Sequence, residues 1–120
     1  MSISEKDWKS FKELHKQALD RFCLGVLADA KTIAQHGAFS AHARYGMLYR
    51  LLHDRDKDLI RTFDTYSRSR ALPALRMMVM HDLLTDAQLS VLSEPALEEI
   101  ASIVRQPYEL EWVAEIVRED

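Results

Sequence analysis

The chain has 120 residues, of which 48% are hydrophobic and 29% are charged, and its net charge is −3. A chain of this length and composition forms one globular domain with its own core, which excludes the disordered and fibrous classes. Its single cysteine excludes an internal disulfide and a multi-cysteine zinc site. Because neither a signal peptide nor an apolar run of roughly 20 residues occurs, the sequence predicts a cytoplasmic protein that does not enter a membrane.

The charges are distributed unevenly along the chain. The net charge is +1 over residues 1–40, +4 over residues 41–77 and −8 over residues 78–120. Such a polarity bears on association more than on fold. We therefore expect the basic middle either to pair with the acidic C-terminal third, within one chain or across a dimer, or to bind a partner.

The N-terminal segment predicts one long helix. Ser4 is the predicted N-cap, apolar residues recur at spacings of three and four to about His36, and Gly37 follows as a stop. A helix of about thirty residues spans about 45 Å, whereas a compact domain of this size is about 35 Å across. The helix should therefore either bend at Gly25 or overhang the domain and pack on a second subunit. We favour the overhang, and with it a homodimer.

The stretch HDRDKD, residues 53–58, places carboxylates at every second position, as the start of a calcium-binding loop does. Counted from Asp54, however, the sixth loop position is Leu59 rather than Gly, and the twelfth is Thr65 rather than Glu. We therefore predict no metal site here. The aspartates are expected instead at a junction between a helix capped by Ser40 and a third helical segment, where they cap amides and pair with nearby cations.

The second half of the chain predicts short helices around a buried one. Residues 71–84 are apolar on nearly every side and form the predicted central helix. Thr85 and Gln88 predict a capping box that opens a short helix. Another helix is predicted after Ser93, and a last one over residues 108–117. No stretch alternates like a strand. The predicted fold class is therefore all-α, a single compact domain over residues 1–120 with five to six helices.

No catalytic, cofactor-binding or metal site is predicted. No two of the five histidines lie three or four residues apart, the spacing that lets a helix present both to one metal ion. Cys23 lies within a helix without a cationic neighbour, and is predicted to be buried and structural. No glycine-rich loop or G-x-S-x-G motif occurs. A site assembled from distant residues, such as His42 or His81 with a carboxylate of another helix, stays open.

Arginines and aromatic residues alternate in the basic middle, which is the feature that predicts a binding surface. The candidate partner- or anion-binding residues are Arg44, Tyr45, Arg61, Arg68 and Arg70. Such residues suit phosphate contacts and base stacking, but a pI of about 5.9 is far below that of a typical nucleic-acid module. The sequence therefore predicts a non-catalytic interaction or regulatory module for a protein partner or a second copy of itself. The alternative is a nucleic-acid-associated regulator that uses the same arginines.

Overall fold

A computed structural model describes residues 3–110 of the chain. This part contains five α-helices and no strand: α1 Glu5–Gln35, α2 Ala41–Phe63, α3 Ala71–Met80, α4 Asp86–Leu89 and α5 Glu94–Ile100, with a 3-10 turn at Arg68–Arg70. The all-α fold class and the long N-terminal helix are confirmed. Of the helix predicted over residues 108–117, residues 111–117 lie outside the described residues, and residues 108–110 are not helical.

The first helix begins and ends where the sequence predicts. The Ser4 hydroxyl accepts the backbone N–H of Asp7 at 3.1 Å, and the helix continues through Gly25 without a break. A helix of this length spans about 46 Å. Residues 3–110 measure 52 × 23 × 20 Å. The long axis is therefore close to the length of α1, which overhangs the rest of the fold.

The second helix is continuous, so the predicted junction at residues 53–58 is wrong. No glycine or proline interrupts the chain from Met47 to Phe63, and charged residues by themselves do not end a helix. The aspartates are instead part of the α2 surface. Asp58 pairs with Arg61 at 3.7 Å, at the predicted spacing of three residues.

The larger of two hydrophobic cores lies in a part that we call the head, residues 3–22 and 59–103. Here α3 packs against α1, α2 and α5, and the buried side chains of α3, α4 and α5 form one cluster with those from the start of α1 and the end of α2. The predicted central helix is confirmed over residues 71–80, whereas residues 81–84 form a turn. The helix contributes six buried side chains: Ala71, Leu72, Ala74, Leu75, Met78 and Val79. The first helix contributes Phe11, Leu14, Ala18 and Phe22.

The smaller core lies in the overhanging part of α1 and α2, residues 24–53, which we call the distal hairpin. Because α2 runs antiparallel to α1, Ile33 near the end of α1 packs with Met47 and Leu51 near the start of α2. These three side chains are the buried members of this cluster. The distal hairpin is therefore a two-helix unit with a small core.

Polar contacts fix the short helices to α1. The Asp7 carboxylate accepts the backbone N–H of Ser93 at 2.9 Å and its hydroxyl at 2.5 Å, which ties the start of α5 to the start of α1. The predicted capping box of Thr85 and Gln88 is confirmed by reciprocal bonds of 3.1 and 2.9 Å. The capping residues of the sequence thus also position the helices of the head.

The segment after α5, residues 101–110, returns from the head towards the distal hairpin. Arg105 pairs with Asp82 at 2.8 Å. Further along, Tyr108 packs on α1 and α2, and Leu110 packs against the small core of the distal hairpin. This segment therefore bridges the two parts of the molecule.

Candidate functional site

The five predicted binding residues lie at opposite ends of α2. Arg44 and Tyr45 are in its first two turns, whereas Arg61 is in its last turn and Arg68 and Arg70 are in the 3-10 turn that follows. The helix between Arg44 and Arg61 is about 25 Å long. The structure therefore separates the predicted set into a pair at the tip of the distal hairpin and a group of three at the head.

Two of these arginines bind backbone carbonyls of their own chain. Arg44 donates to the carbonyl of Ala34 at 2.6 Å and so joins the end of α1 to the start of α2. Arg68 donates to the carbonyl of Ile3 at 2.8 Å. Each arginine thus donates a hydrogen bond to a backbone carbonyl near the end of a helix or of the described chain, where backbone partners are lacking. Arg70 is exposed and has no ion pair within residues 3–110, so its guanidinium is available to a ligand.

Pairing between the basic middle and the acidic C-terminal third was predicted, and four of the ten acidic residues of that third lie outside the described residues. Between residues 41–77 and 78–110 the structure contains one ion pair, Arg76 with Glu99 at 2.7 Å. Arg55 pairs instead with Asp29 of α1 at 3.1 Å. Within residues 3–110, Glu99 is thus the acid of the C-terminal third that forms an ion pair with the basic middle.

An aromatic group at the head was not predicted as a binding feature. The half-exposed ring of Tyr66 lies 5.4 Å from Trp8 and 4.8 Å from His15, and the Lys12 ammonium lies 5.2 Å from the centre of the Trp8 ring. The signal in the sequence is the spacing of four and three from Trp8 through Lys12 to His15, which places them on one helix face. With Arg68 two residues after Tyr66, this end offers cations beside aromatic rings.

A polar cluster connects α1, α2 and the C-terminal segment at the junction of head and distal hairpin. The Tyr108 hydroxyl donates to Asp58 at 2.8 Å, and its ring stacks on His81 with centroids 4.6 Å apart. The Arg55 guanidinium lies 4.2 Å from the centre of the Tyr108 ring while it pairs with Asp29. The carboxylates of Asp58 and Asp29 therefore both accept hydrogen bonds within this cluster.

In the same cluster, His81 lies near the carboxylate of Asp58 in α2. A catalytic site assembled from distant residues would need such a pair. Burial lowers the pKa of His81, and the positive charges of Arg55 and Arg61 lower it further. The negative charge of Asp58 acts in the opposite direction. Burial and the bond to Asp58 raise the pKa of Tyr108. No group of three or more His, Cys, Asp or Glu in residues 3–110 is arranged to hold a metal ion.

The distal hairpin carries most of the exposed large hydrophobic side chains. Nine are exposed in the described residues, and five of these, between 49% and 70% exposed, lie here: Leu24, Leu27, Tyr45, Tyr49 and Leu52. The three on α2 follow spacings of four and three and share one face, which we call the α2 outer stripe. Tyr49 is two residues from both Met47 and Leu51, so this face points away from the small core.

Leucines of α1 are exposed for the same geometric reason. Leu24 is two residues from both Phe22 and Val26, which pack on the head core, and it therefore lies on the opposite side of the helix. Leu27 follows at a spacing of three. The predicted burial of Cys23 is wrong, because its side chain is exposed.

No protein-family model matches the chain, and neither a curated protein nor a solved structure is significantly similar to it. Among residues 3–110, no helix combines the length and the apolar composition that a membrane span requires. The function is therefore inferred from the residues of the chain itself.

Proposed function

We propose that the protein is a non-catalytic interaction or regulatory module of the cytoplasm, which binds a partner protein on the α2 outer stripe. The observation that carries this proposal is the concentration of exposed large apolar side chains on the distal hairpin. Single exposed apolar residues are common, but a contiguous row of them is typical of interaction sites. Tyrosine suits such a site, because it buries a large ring while its hydroxyl keeps a hydrogen bond.

The charge around the α2 outer stripe indicates which partner fits it. Residues 40–53 contain two arginines, two histidines and no carboxylate, so the net charge of this segment is positive. A partner helix with apolar residues at spacings of three and four would pack along the stripe. Acidic residues at its edges would complement the net positive charge of the segment. The partner we propose is therefore an acidic amphipathic helix of another protein.

Photo-crosslinking from the stripe tests this proposal. A benzoylphenylalanine in place of Tyr49 is expected to form an adduct with another protein in the cells that make this one. Mass spectrometry should map the attachment to an acidic amphipathic segment. The matched control carries the same group at Val91, which is similarly exposed but lies in the head, and should give no such adduct.

Three results would contradict the proposal: no adduct from position 49, equal labelling from position 91, or attachment to a segment that is basic or not amphipathic. Once the partner is identified, Tyr45→Ala combined with Tyr49→Ala should weaken its binding by about tenfold or more, since tyrosines that become buried in an interface are frequent hot spots. The change Val91→Ala should leave the affinity unaltered.

The second candidate is a nucleic-acid-associated regulator that acts through the head. It is supported by Lys12 over the Trp8 ring, by the half-exposed Tyr66, and by the exposed Arg61 and Arg70 beside them in sequence. Anisotropy of labelled single- and double-stranded DNA and RNA at about 50 and 200 mM salt tests it, because phosphate contacts weaken steeply over this range. Binding that collapses at the higher salt supports this candidate, and no binding at either salt removes it.

A further inference from the structure

The outer side of α1 carries a row of four exposed residues, which we call the α1 outer stripe: Asp20, Leu24, Leu27 and Lys31. Their spacings of four, three and four place them on one helix face. Leu24 is 59% exposed and Leu27 is 64% exposed.

The two charged residues of this stripe have no counterion among the described residues. Neither Asp20 nor Lys31 forms an ion pair with any residue between positions 3 and 110. The two cannot pair with each other, because they lie about 16 Å apart along the helix. The stripe thus has an acid at one end, a base at the other, and two unpacked leucines between them.

We propose that the α1 outer stripe binds the same stripe of a second copy of this chain, with the two helices antiparallel. The spacing is the same in both directions. A rotation of 180° about the point midway between Leu24 and Leu27 therefore places Leu24 against the partner's Leu27, and Asp20 opposite the partner's Lys31. One such contact forms on each side of the axis, as a two-fold interface requires.

The geometry is that of an antiparallel coiled-coil seam. Alternating spacings of three and four are those of the a and d positions, whose side chains pack between helices. A parallel arrangement would instead set Asp20 against Asp20 and Lys31 against Lys31, which costs energy through like-charge repulsion. Charge complementarity therefore favours a second copy of this chain as the binding partner and an antiparallel direction of the two helices.

This inference deepens the proposed function, because it assigns the self-association of the module to a surface of its own. The dimer seam lies on α1, whereas the partner helix binds α2. A change in one stripe should therefore leave the contact made by the other intact.

Sedimentation velocity of the full chain over a range of concentrations tests the interface. We expect a reversible dimer, and Leu24→Glu should raise its dissociation constant by about 100-fold, because two carboxylates are then buried in the symmetric seam. The control Val91→Glu places the same charge on an exposed apolar position of the head and should not change it.

A charge swap tests the register. Asp20→Lys alone and Lys31→Asp alone should each raise the dissociation constant about tenfold, because each change creates two like-charge contacts in the symmetric dimer. The double variant restores both attractions and should return to within about threefold of the original value. An effect on helix stability alone would not be rescued in this way.

Disulfide trapping tests the direction. In a Cys23→Ser background, the double variant Asp20→Cys with Lys31→Cys should oxidise to a covalent dimer, and neither single cysteine variant should. A disulfide needs Cα atoms within about 7 Å, so the two positions cannot bridge within one helix. Trapping by Asp20→Cys alone would show a parallel pair and overturn the antiparallel seam.

A protein that stays monomeric at every concentration, or a dimer that Leu24→Glu does not affect, would overturn the inference. These outcomes are separate from failure of partner binding. A monomer that still gives the Tyr49 adduct removes only the dimer, and a dimer with no adduct removes only the partner helix.

Discussion

The head and the distal hairpin are built from the same two helices, but they differ in what covers those helices. In the head, three shorter helices pack against α1 and α2, so that Phe11 and Leu75 are fully buried. In the distal hairpin, α1 and α2 have each other and the end of the C-terminal segment, and Ile33, Met47 and Leu51 are the buried members of the core. The cause is helix length, since α1 spans about 46 Å and extends past the helices that could cover it.

This difference shows how one small domain separates folding from recognition. The head supplies the buried area that a chain of this size needs for stability. Both helices of the distal hairpin expose apolar side chains that no described residue of the same chain covers. We infer that the head holds the hairpin in place and that the hairpin supplies the binding surfaces.

The largest expected effect compares a core deletion in each region. Leu75→Ala in the head should lower the free energy of unfolding by about 3–5 kcal/mol, because packed neighbours surround the cavity. Ile33→Ala in the distal hairpin should cost about 2 kcal/mol, since a site between two helices collapses more easily. Urea unfolding measures both values, and equal losses would contradict the difference between the two regions.

The next effect concerns the polar contact that closes the head. Asp7→Ala should lower the free energy of unfolding by about 1–3 kcal/mol, because the N–H and hydroxyl of Ser93 lose their acceptor in a part-buried site. Glu5→Ala is the matched control, as it removes an exposed acid from the same helix turn. Burial alone would raise the pKa of Asp7, but the bonds from Ser93 and Ser4, together with the charge of Lys6, lower the pKa below its ordinary value. This contribution is therefore present above pH 3.8 and is lost as the pH falls further.

The junction between the two regions should respond to milder acid. Burial lowers the pKa of His81 below its ordinary value of 6.5, so the unfolded chain takes up a proton before the folded chain does. Stability should therefore fall as the pH drops below about 6.5. His81→Phe keeps a ring against Tyr108 but cannot titrate, and its urea midpoint should change less between about pH 7.5 and 5.5. Identical pH profiles would refute this role for His81.

The smallest expected effect lies within α1 itself. A Cβ added at Gly25 would meet no atom within 4 Å. Gly25→Ala should therefore raise the free energy of unfolding by about 0.5–1 kcal/mol, because glycine is a poor residue for a helix interior. Gly25 is not part of the α1 outer stripe, so the dimer dissociation constant should stay the same. A loss of stability would mean that the flexibility of glycine serves a contact at this position.

Much of the fold could be predicted from local signals. Ser4, Ser40 and Thr85 act as helix caps through contacts within three residues, which the sequence displays directly. The continuity of α2 was missed because the acidic stretch at residues 53–58 resembles a helix start, although no glycine or proline breaks the chain there. Local capping signals predict where helices can start, but not whether a preceding helix has stopped.

The candidate surfaces could be predicted only in part. Tyr45 and Arg70 were predicted binding residues and are exposed, but Arg44 and Arg68 bind carbonyls of distant segments, which no local pattern indicates. The spacing of Leu24 from Phe22 and Val26 places it on the opposite side of α1 from the head core. Which other elements cover that side is a tertiary property, which the spacing does not indicate.

Native-state hydrogen exchange tests the central contrast between the two regions most directly. At low protein concentration, amides of residues 24–53 should exchange through openings that cost less free energy than those of α3. At high concentration, amides of residues 20–31 should become more protected as the α1 outer stripes pair. Equal opening free energies in α3 and the distal hairpin at low concentration would contradict the account, because they would show one uniformly stable unit.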